Sequence, residues 1–197
     1  MTVKNSILLF ALLSLKTLSG QDIFPSKTYI NTSYNEQQCF SLNSAAFIFY
    51  NNDNHELSFC IDFSKFKTGN DTIDNWLDDL DDTKLTFKGQ LNYDNLLVLT
   101  HHNSKAIKVS GLMTFNNVSH AHSIEVNIFE VSREGVLFQN NQQDYNDRIN
   151  VNLGFAFMPK EFKIDKKSHH LKKKITVGIY RGYVNNYNSN AVKYFEN

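Results

Sequence analysis

The chain has 197 residues, with Lys+Arg and Asp+Glu balanced at 20 each and 16 Phe against two Cys and two Pro. A length of about one domain can bury a substantial core without metals or bridges. The absence of net charge provides no global field favouring nucleic acid.

The first segment, "MTVKNSILLFALLSLKTLSG", has an apolar run from Ile7 to Leu15 followed by small and polar residues. It predicts a secretory signal peptide over residues 1–20, too short to span a bilayer, with a mature domain over 21–197. No cysteine stands at that boundary, which argues against a lipid anchor. Export would carry Cys39 and Cys60 into an oxidising compartment. If "NNDN" at 51–54 turns a hairpin, Cys60 lies opposite Ala45, and Cys39 lies further along β geometry by roughly 20 Å, beyond disulfide reach. Two unbridged thiols are therefore expected.

Period two dominates the rest of the chain. Leu57, Phe59, Ile61 and Phe63 alternate with Ser58, Cys60 and Asp62, and Leu85, Phe87, Gly89, Leu91 and Tyr93 do the same after them. Ile149, Val151, Leu153, Phe155 and Phe157 repeat the pattern, as do Ile175, Val177 and Ile179. One face in and one face wet is the antiparallel signature. With runs at 40–50, 96–102, 107–115, 120–131 and 134–140 the strands number about nine. Between the second and third of them, "NDTIDNWLDDL" breaks the period: Ile73, Trp76, Leu77 and Leu80 are spaced for one short amphipathic helix, capped by Asn70 or Asp71. A meander of this kind closes most economically into an all-β antiparallel barrel of about eight strands, because closure removes exposed edges. A two-sheet sandwich is the alternative.

In "KVSGLMTFNNVSHAHSIEVNIF", residues 107–128, a turn on Asn116 and Asn117 sets Phe115 opposite Val118, Met113 opposite His120 and Gly111 opposite His122. His120 and His122 then share the apolar row with Ile124, Val126 and Ile128. Gly111 is read as leaving room for the His122 imidazole inside the barrel, with His120 nearer the turn and water. His122 is a histidine hydrogen-bonded in the core or at the rim, a polar contact to a ligand head, or, with His120 and His101-His102, part of a metal site. No carboxylate or thiolate at ligand spacing supports the last reading. No nucleophile elbow, phosphate loop or nucleophile and base pair is found, so no enzyme and no cofactor are expected. The acidic run 71–82 and the basic run "KEFKIDKKSHHLKKK" from Lys160 to Lys174 read as solvated faces, the second also as a transient contact with anionic headgroups.

Three stretches in order resemble the YceI-like family: "FSKFKTGNDTIDNWL" (63–77), "LTFKGQL" (85–91) and "VSGLMTFNNVSH" (109–120). "INVNLGFAFMPKEFKI" (149–164) is similar to the family's late strand more weakly. Asn117 stands where the family turn usually carries Gly, a change that Asn tolerates. The resemblance implies a lipocalin-like secreted barrel that binds a polyisoprenoid or isoprenoid-quinone-like lipid and carries or stores it in the periplasm. From the residues alone, a barrel filled by its side chains and one holding a ligand stand level. The resemblance favours a cavity contacted by Phe59, Phe63, Phe87, Met113, Phe115, His122, Phe155 and Phe157. The alternative is a secreted structural or protein-interaction module with a filled core. Secretion from a eukaryote would make Asn31, Asn70 and Asn117 glycosylation acceptors.

Overall fold

The hairpin on the asparagine pair forms with the predicted register. In the computed structural model Asn116 and Asn117 have φ of 49° and 58°, the left-handed pair that a two-residue hairpin turn requires. Phe115 pairs with Val118, Met113 with His120 and Gly111 with His122. The structure describes residues 23–34, 37–51, 53–80, 82–91, 106–133, 147–164, 174–186 and 191–195. The predicted leader at 1–20 and the runs at 96–102 and 134–140 lie outside them.

Eight strands follow in chain order: β1 (Ser26–Tyr34), β2 (Gln37–Asn51), β3 (Glu56–Asp62), β4 (Lys84–Gln90), β5 (Ala106–Phe115), β6 (Val118–Arg133), β7 (Asp147–Phe157) and β8 (Ile175–Asn186). Each pairs antiparallel with the next, and β1 pairs with β8 to close an all-β barrel. The end of β2 also runs parallel to the end of β8, Ile48 beside Val184 and Phe49 beside Asn185. The apolar alternation does not reveal β1. It turns Ser26, Thr28, Ile30 and Thr32 inward, all buried, so hydroxyls hide the period that an apolar row would show.

The β2–β3 turn falls one residue later than the "NNDN" reading. Asn51 pairs with Glu56, so Cys60 faces Phe47 rather than Ala45. The correction moves Cys39 further from Cys60. Both thiols are buried, and no bridge joins them.

The helix forms as its spacing predicts. In α1 (Asp71–Asp78) the Asn70 side chain accepts from Thr72 N and Ile73 N at 3.1 and 3.2 Å, and Asp71 and Asp74 sit in the first turn, where the helix dipole favours them. Ile73, Trp76 and Leu77 are buried, and Leu80, beyond the last turn, packs partly against the core. The approach is tied by Asp74, whose carboxylate accepts from Thr68 N, Thr68 Oγ1 and Gly69 N at 2.7, 2.8 and 3.1 Å. Burial raises the Asp74 pKa, but these bonds and nearby Lys67 outweigh it and hold the carboxyl below its usual range.

The connections give the barrel two unlike ends. The Asn116–Asn117 turn, α1 and the 3-10 turn Pro159–Phe162 gather at one, the capped end. At the far end β4, β6 and β8 finish, and β5 and β7 begin.

The barrel interior as candidate functional site

Among the described side chains the inward rows carry no Lys, Arg, Asp or Glu, and the buried polar residues are Ser26, Thr28, Thr32, Ser41, Ser58 and Asn185. An apolar column of this kind can solvate hydrocarbon. Among the described residues no three His, Cys, Asp or Glu gather as a metal site; His101 and His102 lie outside them.

The eight candidate ligand residues fall into separate layers. Phe63, Phe115 and Phe157 belong to the capped end. Phe63 and Phe115 rings are 5.0 Å apart, Phe115 and Phe157 meet edge-on at 5.8 Å, and Phe162 stands edge-on to Phe157 at 5.5 Å. Asn116 Nδ2 ties the hairpin to this cluster by donating to the Phe162 carbonyl at 3.3 Å. Edge and offset contacts of this kind are the favourable aromatic geometries. Together with Phe66 and the buried Ile73, Trp76 and Leu77 of α1 they form a plug with almost no exposed area.

Phe59, Phe87 and Phe155 make a second layer midway. Phe59 stacks on Phe87 at 5.3 Å and on Phe155 at 5.4 Å. β3 and β7 stand on opposite walls of an eight-strand ring, so the Phe59–Phe155 stack crosses the barrel from wall to wall. Met113, opposite Phe87 on β5, is fully buried beside this layer. Beyond it, towards the far end, the inward side chains change character. Among the described side chains, Ile48, Leu57, Val126, Val151 and Ile179 line that half together with Tyr50, which pairs with Leu57 and meets His55 Nδ1 through its hydroxyl at 3.0 Å.

His122 lies at the wall rather than in the column. The β6–β7 ladder stops at Glu125 and Gly154, leaving a seam towards the capped end, and His122 is half-buried in it. It is hydrogen-bonded to the backbone of Ala156 and edge-on to Phe155 at 6.3 Å. Burial lowers its pKa; the Glu161 carboxylate and the Ala156 bond raise it, Lys174 lowers it, and the net shift is downward from 6.5. His120 is exposed, its ring edge-on to Phe162 at 5.5 Å. The space at Gly111 is not reserved for the imidazole. A Cβ there would overlap the Lys88 carbonyl oxygen and lie 2.7 Å from Phe87 Cζ, while one at Gly89 would lie 2.7 Å from Phe87 Cε1. The Phe87 ring therefore lies across a paired Gly89 and Gly111, covering bare backbone as aromatics do beside strand glycines.

Two features had no clear signal in the sequence. On the inside, the β1 and β2 hydroxyls are mostly taken by backbone: Ser26 Oγ accepts from Tyr183 N, Thr28 Oγ1 donates to Ser26 O, and Ser41 Oγ accepts from Lys67 N. Thr32 Oγ1 and, on α1, Trp76 Nε1 are buried without a partner. On the outside, a C-terminal 3-10 turn, Val192–Tyr194, lies across β2 and β3. Tyr194 packs on Phe47 and Phe49 at 4.4 and 5.5 Å, Phe195 on Phe49 at 5.6 Å, and Lys88 Nζ lies 5.1 Å over the Phe195 ring. Ser58 and Cys60, read as a wet face, are consequently buried, and burial pushes the Cys60 thiol up to about 12. The two aromatics in "VKYFEN" were the available hint.

No family model and no curated protein matches the sequence. The fold has solved counterparts. A polyisoprenoid-binding domain from Saccharophagus degradans superimposes with a TM-score of 0.57 at 11% identity, over 80% of this chain and 92% of that one. BcnA of Burkholderia cenocepacia gives 0.53 at 9% identity, over 78% and 93%. A Campylobacter jejuni YceI protein is more distant at 0.46, with 16% identity over 85% and 90%. At these identities the first two establish a shared lipocalin-like barrel fold.

Proposed function

We propose that the barrel is a non-catalytic binder and carrier of one long apolar lipid of the polyisoprenoid or isoprenoid-quinone class, working in the periplasm. The observation that carries this reading is the division of the interior. A sealed aromatic plug lies at the capped end, a ring-stacked floor of Phe59, Phe87 and Phe155 lies above it, and a half lined mainly by aliphatic side chains, with Tyr50 among them, extends towards the far end. The fold shared with a domain that binds polyisoprenoid supports the same class of ligand. On this reading the floor meets the deep end of the tail, with Met113 beside it. Phe63, Phe115 and Phe157 close the barrel beneath, and His122 holds the seam.

Burying one CH₂ from water is worth roughly 0.8 kcal/mol, so a few isoprene units suffice for binding before ordering costs. Such a lipid already lies in an apolar bilayer, so transfer into the barrel is near balance. Selectivity then comes from the length of the aliphatic half. Native mass spectrometry of delipidated protein incubated with quinone and polyprenyl extracts tests the proposal: a bound species of one mass class supports it, and bare protein under all loadings refutes it. The second reading, an unliganded secreted module with a filled core, is favoured by the Phe59–Phe155 stack, whose rings bridge the walls with almost no exposed surface.

A further inference from the structure

We propose that the outer face of β1, β2 and β8 is a docking surface for an anionic lipid bilayer. Six large hydrophobic residues are strongly exposed among those described, and five of them, Phe24, Phe40, Leu42, Tyr180 and Tyr183, lie on this side of the barrel. Phe40 and Leu42 expose 56% and 60% of their surface, and Tyr180 exposes 53%. Tyr29, paired with Leu42, ties the β1, β2 and β8 parts together: its ring stacks on Phe40 at 5.9 Å and lies over Gly178, whose missing side chain makes room for it, while Phe24 packs on Tyr183 at 6.0 Å further along the same face. Single exposed apolar residues are ordinary, but a contiguous cluster marks a surface that is covered in use.

The border of the patch identifies the occupant. Lys27 on β1, Lys174 before β8 and Arg181 on β8 are all cationic and exposed. Arg181 is placed there at a cost. A register irregularity separates the Val151 and Leu153 pairings with β8, and Arg181 holds φ 48°, a left-handed conformation that disfavours side chains. Its N–H donates to Asn152 Oδ1 at 2.8 Å. The bulge turns Tyr180 and Arg181 both outward, with the guanidinium 5.6 Å from the Tyr180 ring. Bulges re-aim side chains in this way.

Tyrosines and phenylalanine at headgroup depth, edged by Lys and Arg, are the composition of an interfacial surface. A second copy fits less well, because a two-fold contact through the patch sets like charges against each other. Within the patch β1 pairs with both β2 and β8, so it offers no strand edge to a second copy. This surface extends the carrier reading, since a lipid held in a bilayer changes hands at its surface, but it can be tested apart from loading.

The test is flotation of the chain without residues 1–20, so that the apolar leader cannot itself insert; every strand is retained, since β1 begins at Ser26. Phosphatidylcholine vesicles with and without phosphatidylglycerol are compared, with light scattering to give the oligomeric state. The parent is expected to float with the anionic vesicles, and less so as salt is raised. The Phe40→Ser/Leu42→Ser variant, with an unchanged circular dichroism spectrum, is expected to partition about tenfold or more weakly. Lys27→Glu/Arg181→Glu should remove the preference for phosphatidylglycerol. Leu112→Ser, an exposed apolar residue on β5 away from the patch, should behave as the parent. A parent that stays with the unbound fraction, a Phe40→Ser/Leu42→Ser variant that floats equally, or a parent dimer that this variant converts to monomer each overturns the proposal. None of these bears on loading, which native mass spectrometry reads without vesicles.

Discussion

His122 shows how a single side chain was legible in position but not in surroundings. Its pairing with Gly111 followed from the turn, because a two-residue hairpin leaves one register. What fills the space at Gly111 did not, because the Phe87 ring reaches it from β4, and that lean is a matter of packing between strands. Its titration gives a signed expectation. Burial, the largest influence, holds the folded pKa below the unfolded value near 6.5. The unfolded chain therefore takes up the proton first as pH falls, and stability contributed by neutral His122 is present above 6.5 and lost as pH drops from there towards the folded value. Denaturant midpoints measured from pH 7.5 to 5 should fall less steeply in His122→Gln than in the parent; equal slopes would show that His122 does not contribute. The glycines make a sharper pair. Gly111→Ala drives a Cβ into the Lys88 carbonyl oxygen, and backbone cannot move aside cheaply, so a loss of about 1–3 kcal/mol is expected. Gly154 has open space around its Cβ position, and Gly154→Ala should be neutral or stabilise by up to about 1 kcal/mol. Urea titration of both variants checks the contrast.

At the scale of elements, α1 was legible because four apolar residues at helical spacing outlast any local ambiguity, and Asn70 supplied the start. β1 was not, since its inward row is three hydroxyls and one isoleucine, and the C-terminal turn was not, since one 3-10 turn is too short to have a period. Trp76 tests how the helix is held. It is 5% exposed, so a soluble quencher should barely dim the only tryptophan. Its indole N–H is buried without an acceptor, a state that costs about 1–3 kcal/mol. Trp76→Phe removes the orphan along with some packing and should lie within about 1 kcal/mol of the parent, whereas Trp76→Ala should lose about 3–5 kcal/mol. The C-terminal turn is tested through the thiol it covers. A pKa of about 12 in place of 9.0 leaves roughly a thousandfold less thiolate. With Cys39 replaced by Ala, Cys60 should resist a disulfide reagent at pH 8, and Tyr194→Ala/Phe195→Ala should speed the reaction by at least tenfold. Unchanged kinetics would mean that β2 and β3 shield Cys60 without the turn.

For the whole molecule, closure was the most legible property, because a meander with alternating rows and a single short helix has few other ways to hide its edges. The allocation of the interior was not. Phenylalanines in inward rows looked alike in the sequence, and only their heights along the barrel separate a plug of Phe63, Phe115 and Phe157 from a floor of Phe59, Phe87 and Phe155. That separation divides the two functional readings by experiment. Enlarging side chains of the aliphatic half with Val126→Phe, or Val151→Phe, adds a ring where the carrier reading places lipid tail. If tail occupies that half, the substituted ring takes its place in the delipidated protein: stability is kept within about 1 kcal/mol, and uptake of polyprenyl lipid falls sharply. If the half is already filled by the protein, the same ring overpacks it and costs about 1–3 kcal/mol, with no lipid uptake to lose. Phe157→Ala provides the reference, because it opens the plug under either reading and should cost about 3–5 kcal/mol. Thermal melts and native mass spectra of the three variants therefore give different patterns for a carrier and for a filled module, and a variant at Val126 that is both destabilised and unable to bind would count against the carrier.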